Sequence, residues 1–389
     1  MINKSKPLIT INKLDSEKKK TFSNRTWIAV IVLVFYSIVV TFSYLVDLPY
    51  SYWVNVLKIV DNPSDFNWSP LFNYRDIAGG LAIVLCFIVY APLLMCLIDI
   101  NNLIFNKNYK SLIVLIIIGS IDYFFPSIIY IFFQYFSSYI SLVGADNGIT
   151  FEVLFQKTFY VFALSIVFTS IFTIISANIL LSVYKRNNFK NTITLNFLIF
   201  IVPIGFLSFS YIGIISGWAV ILMILFSIAG TDVFSYLSGM LFGKHKMAPV
   251  ISPNKTWEGA IGGVLLTVLL IVIYALSLSS SEKTNNNIFM FIGFYTSSEP
   301  VKWVTLLLVS IGLAIFSILG DLLFSYIKRS FCIKDFGKTL KSHGGFLDRF
   351  DSLVIASFAF FVYSFAALAI SLFANTNWGI SPEDMILIH

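Results

Sequence analysis

Between Asp321 and Asp351 the chain carries ten charged residues directly after an apolar run. Asp321, Ser325 and Lys328 recur at i, i+4 and i+7, so a helix continuing past Gly320 puts a carboxylate, a hydroxyl and an ammonium on one stripe, with Arg329 one position round. Such a stripe can hold a divalent ion and the phosphates that the ion bridges. After Lys334, Asp335 and Gly337 comes Lys341-Ser342-His343-Gly344-Gly345, whose paired glycines free the backbone to turn its amides toward an anion. The same glycines suit a helix cap followed by a connector, and His343 suits a packed position as well as a phosphate contact. Asp348 and Asp351 share a face of any helix that begins there, while Arg349 points elsewhere. Carboxylates so close repel unless a cation lies between them, and magnesium takes oxygen ligands. A salt-bridged Asp-Arg-Asp helix start is the plainer alternative.

A second polar stretch offers complementary groups. Asp232 and Ser235 stand at the end of an apolar run, followed by Gly239, Gly243-Lys244-His245-Lys246 and then Ser252-Pro253-Asn254-Lys255-Thr256-Trp257-Glu258-Gly259. Lys244, His245 and Lys246 bring positive charge, and Ser252-Pro253 is expected to begin a rigid turn. Lys255, Thr256 and Glu258 add a donor, a hydroxyl and an acid just before the next apolar run, where Trp257 would form a wall of an interfacial pocket. Gly262 and Gly263 would let that helix approach a neighbour closely.

The elements that must position these residues are membrane helices. Of the 389 residues 58% are hydrophobic and 12% charged, about half the charge of a soluble domain, which is roughly 25%. Mean hydropathy is +0.86. Apolar windows near 27–46, 77–98, 111–134, 159–184, 192–208, 212–230, 259–279, 303–320 and 352–373 predict an all-α, polytopic bundle of about nine transmembrane helices. Asp122 and Pro126 weaken the third window and the fourth has soft boundaries, leaving eight spans or a broken helix as alternatives. With the N-terminus inside, Lys58, Arg75, Lys157, Lys283 and Lys302 are the only ones of the 26 Lys/Arg that fall outside, so both polar stretches face the cytoplasm. The expected organisation is a polar tail over 1–26, helices over 27–230, a catalytic membrane region over 231–373 with loops 231–258 and 321–351, and a short tail over 374–389. The first run follows seven Lys/Arg and has no small-residue cleavage pattern, which favours a retained span over a signal peptide. Trp53, Trp68, Tyr50 and Tyr52 fit an interfacial belt, and Cys86, Cys96 and Cys332 form no paired framework.

The run Ser325-Tyr-Ile-Lys328-Arg329, Lys334-Asp335, Gly337 and His343-Gly344-Gly345-Phe-Leu-Asp348-Arg349-Phe-Asp351 closely resembles the signature of phosphatidate cytidylyltransferases, the CDP-diacylglycerol synthases. Phe242 to Lys246 and Ser252 to Gly259 are similar to the second block of that family, and the likeness covers residues 232–351. The family has Pro-Gly before His-Gly-Gly where this chain has Lys341-Ser342. The resemblance implies a nucleotidyltransferase that uses CTP as co-substrate and phosphatidic acid to make CDP-diacylglycerol and pyrophosphate in phospholipid biosynthesis. It also implies Mg2+ and a multi-pass protein of the cell membrane that is often a homodimer and takes no nucleic acid; the number of acids would be explained by a second metal ion. By the same resemblance Asp321 and Asp348 would be the main metal ligands, with Asp351 and Asp232 behind them. Ser325, Lys328, Arg329 and the segment Ser252, Lys255, Thr256 and Glu258 would line the nucleotide and lipid phosphate site. A membrane lipid kinase or phosphotransferase acting on a polyprenol shares this metal logic. A secondary transporter is the non-enzymatic rival, with Asp122 on its path, but the chain has no visible inverted repeat.

Overall fold

The computed structural model describes residues 30–45, 74–143, 151–278, 299–337 and 344–373. Within them are nine helices: α1 (Val30–Leu45), α2 (Tyr74–Phe105), α3 (Tyr109–Val143), α4 (Phe151–Val183), α5 (Phe189–Ile215), α6 (Gly217–Phe242), α7 (Trp257–Leu278), α8 (Glu299–Ser330) and α9 (Leu347–Phe373). By length and composition α2 to α9 can each cross a membrane, while the described part of α1 is shorter. Each window of the sequence reading therefore corresponds to a helix. The tails, residues 46–73 with Tyr50, Tyr52, Trp53 and Trp68, and Lys341, Ser342 and His343 lie outside the described residues.

Helix α5 is the most buried element and contacts α2, α3, α4, α6 and α9. Polar groups inside an apolar layer need internal partners. The fully buried Tyr123 hydroxyl meets this requirement by joining three helices, donating to Cys86 O at 2.8 Å and sharing a 2.6 Å hydrogen bond with Ser210 Oγ. Helix α3 runs unbroken through Asp122 and Pro126, and Ser127 Oγ donates to Tyr123 O at 2.9 Å within that turn. Long apolar flanks on both sides outweigh the hydrogen bond that the proline removes.

Helices α6 and α8 outlast their apolar windows, reaching Phe242 and Ser330 instead of ending near 230 and 320. Their polar ends stay helical because they pack on each other and on α7. Close approach of α6 and α7 depends on glycine: a Cβ at Gly259 would lie 2.8 Å from Ser235 O, and one at Gly262 or Gly263 would overlap the side chains of Ser238 or Ser235. The polar stretch between them folds as an antiparallel hairpin, β1 (Lys246–Ala248) and β2 (Ser252–Thr256), pairing Lys246 with Thr256 and Ala248 with Ser252. Ser252-Pro253 was expected to start a turn and instead lies within β2; the turn falls at 249–251. Proline is tolerated there because a two-stranded ribbon has only edge strands.

Candidate functional site

Continuation of α8 past Gly320 sets Asp321, Ser325 and Lys328 on one face, as their spacing predicts. Ser325 Oγ donates to Asp321 Oδ1 at 3.3 Å, and the other oxygen, Oδ2, pairs with Lys255 Nζ at 2.7 Å. That ion pair docks the end of the hairpin on α8. One turn further, Lys328 Nζ reaches across to Asp348 Oδ1 at 2.9 Å, with both side chains nearly dry at 11% and 6% exposed. Asp348 Oδ2 accepts the backbone amides of Phe336 at 3.0 Å and Gly345 at 2.8 Å. Gly344 has φ +80°, a conformation that a side chain would strain, so this glycine does shape the turn beneath the carboxylate. Arg329 holds the loops: its Nε donates to Ile251 O at 3.3 Å and its Nη1 to Ile333 O at 3.1 Å.

Asp351 is 8% exposed and accepts Ser352 N at 2.7 Å, while Arg349 is exposed, in line with the predicted faces of α9. Asp351 lies within electrostatic reach of Asp321, Lys328 and Asp232, and Asp232 within reach of Asp321 and Lys255. The ends of α6, α8 and α9 and the hairpin thus meet in one charged cluster.

Other residues of the sequence reading have structural duties. Thr256 is buried and caps α7, its Oγ1 accepting Gly259 N at 3.2 Å. Glu258 accepts Lys244 N and His245 N, each at 3.1 Å, and meets His245 Nδ1 at 2.5 Å, fastening the entrance of the hairpin to the first turn of α7. Ser252 sits opposite Ala248 in the hairpin. Gly345 lies in the turn with Gly344, and its amide is one of the two on Asp348.

One residue was missed. Asp99 of α2 is fully buried, and its Oδ2 accepts Leu347 N at 3.1 Å. The apolar window over 77–98 stops one residue short of Asp99. The helix continues to Phe105 because Ile100, Ile104 and Phe105 are buried against the bundle. An acid within an otherwise apolar run was the available signal.

The donor set of Asp232, Asp321, Asp348 and Asp351 is all oxygen, which suits magnesium and not the thiophilic metals. Asp321 and Asp348 are each paired with an ammonium, that of Lys255 or Lys328, so an ion bound there would share these carboxylates with the two lysines. Among the described residues no three His, Cys, Asp or Glu side chains come together as a group that could hold a metal ion. The donor chemistry alone suits magnesium, which keeps water or substrate oxygens in its shell where the protein supplies few ligands.

Curated relatives match part of this chain. A phosphatidate cytidylyltransferase of Staphylococcus haemolyticus is 43% identical over 124 residues, 32% of this chain and 40% of the relative. That of Bacillus subtilis is 38% identical over 133 residues, 34% of this chain and 42% of the relative. That of Rickettsia bellii is 36% identical over 163 residues, 41% of this chain and 64% of the relative. The chain therefore matches less than two thirds of the length of each of these relatives. The family profile reaches further, from residue 77 to 367, which takes in α2 to α9 together with both loops, and on that match the chain belongs to the Cytidylyltransferase family.

Proposed function

We propose that this protein transfers the cytidylyl group of CTP to phosphatidic acid, giving CDP-diacylglycerol and pyrophosphate. The observation that carries the reading is the pair of crossed ion pairs, Lys255 with Asp321 and Lys328 with Asp348, at the meeting point of α8, α9 and the hairpin. Family membership and the names of the relatives support it.

A phosphate oxygen of phosphatidic acid attacks the α-phosphorus of CTP, a new P–O bond forms, and the bond to the β-phosphate breaks as pyrophosphate leaves. A phosphate monoester has a second pKa near 6, so the nucleophile is already largely ionised at neutral pH and needs no strong base. The demand on the protein is to hold two polyanions together. Magnesium, when bound, would be held by Asp321 and Asp348 with Asp351 and Asp232 and would cancel much of that repulsion. Lys255 and Lys328 supply further positive charge to the phosphates from positions that their carboxylate partners already fix. Arg329 keeps the hairpin turn against the end of α8, so that Lys255 stays in register with Asp321. Lipid tails remain among the helices while the headgroup reaches the polar end, which the positive-inside asymmetry assigns to the cytoplasmic face of the membrane.

Incubation of the purified protein with CTP labelled at the α-phosphate, phosphatidic acid and magnesium in detergent should carry label into the lipid extract with release of one pyrophosphate per lipid. Label that stays in the aqueous phase would refute the reading. Transfer of a γ-label to a polyprenol would replace it with a kinase.

A further inference from the structure

We infer that Asp99, on α2 and outside both motif loops, is a positioning residue for the Asp348 turn. Leu347 is the first residue of α9, and a helix N-terminus leaves its first amides without intrahelical acceptors. Asp99 Oδ2 fills that role for Leu347 N from 248 residues away in the chain. A carboxylate at this end also complements the helix dipole. The fit is tight on either side: a Cβ at Gly337 or at Gly345 would overlap the Asp99 carboxylate. Glycine at these two positions therefore makes room for Asp99, whereas Gly344 is required by its backbone angle.

The consequence reaches the charged cluster through the turn itself. Gly345 touches Asp99 on one side and on the other gives its amide to Asp348 Oδ2, so one residue separates the two carboxylates. Asp348 sits directly after Leu347, the residue Asp99 holds. Without the grip of Asp99 the first turn of α9 is free to shift, and Asp348 loses its fixed distance to Lys328. The grip on Leu347 needs an acceptor oxygen at this position, and asparagine is the replacement that keeps one.

The part of the test that reads turnover rests on the proposed cytidylyl transfer; the rest does not. Asp99→Ala should lower kcat about 10- to 100-fold, the span of one charge-assisted hydrogen bond, with KM for phosphatidic acid unchanged. Asp99→Asn should restore most of the rate. Hydrogen exchange at Gly345 and Leu347 should speed up at least about tenfold in Asp99→Ala and stay slow in Asp99→Asn. Gly345→Ala should destabilise the otherwise unaltered protein and add little in the Asp99→Ala background, because the overlap is gone. Unchanged exchange and kcat in Asp99→Ala would overturn the inference. So would a rate loss that merely follows the folded fraction, or Asp99→Asn behaving like Asp99→Ala. A protein without cytidylyl transfer would instead sink the proposed function and leave the exchange and double-variant results to decide on Asp99.

Discussion

Lys328 and Asp348 form a nearly dry ion pair, but the two partners are not equally supported, and this asymmetry can be measured. Replacing Lys328 with Met leaves Asp348 with the amides of Phe336 and Gly345 still on its second oxygen. Replacing Asp348 with Asn leaves an ammonium beside the Phe336 ring, 5.6 Å from Nζ to centroid, with the Asp351 carboxylate still within its electrostatic reach. The new amide has one oxygen, which can face the ammonium or the two backbone amides but not both. Removing one member of a buried pair costs about 3–5 kcal/mol when nothing replaces it. Asp348→Asn should fall toward the lower end of that range, because the Asp351 carboxylate still reaches the ammonium. For Lys328→Met the two amides soften the loss, and about 1–3 kcal/mol is expected, the cost of one unmet hydrogen bond on a buried group. Equilibrium unfolding in mixed micelles, followed by helix signal, would give both values. Turnover separates the variants further: Asp348→Asn should abolish synthesis at ordinary magnesium because a proposed ligand is lost, while Lys328→Met should raise KM for CTP and keep a measurable kcat. Equal destabilisation, or a larger loss for Lys328→Met, would refute the assignment of the amides as the support of Asp348.

Lys255 and Asp321 are 25% and 33% exposed, so Lys255→Met should change stability by only about 0–1 kcal/mol, yet it should raise KM for CTP several-fold in steady-state kinetics. A fall in stability without a kinetic effect would make the pair a mere strut for the hairpin. Gly263→Leu should separate α6 from α7 and cost at least about 1–3 kcal/mol, since even a Cβ overlaps Ser235; a wild-type unfolding midpoint would contradict the close packing.

The membrane class, the nine helices and the face shared by Asp321, Ser325 and Lys328 were legible in the sequence because they depend on local properties. Hydropathy and helical periodicity act over a few turns, and the structure keeps both. The close packing at Gly262 and Gly263 was legible for the same reason, as small residues in a span leave few other uses. Helix ends were less so: α6 and α8 continue past their apolar windows because neighbouring helices and the hairpin stabilise polar turns that look like loop in isolation. Thr256 and Glu258 looked like ligands along the chain, and only the tertiary structure shows that they also cap α7 and fasten the hairpin. Sequence alone established which groups carry charge at the membrane edge; the tertiary structure alone decided which carboxylate meets which ammonium. Asp99 shows the reason, for an acid on α2 meets an amide 248 residues later only once the bundle has closed, and no pattern along the chain encodes a contact made by folding across it.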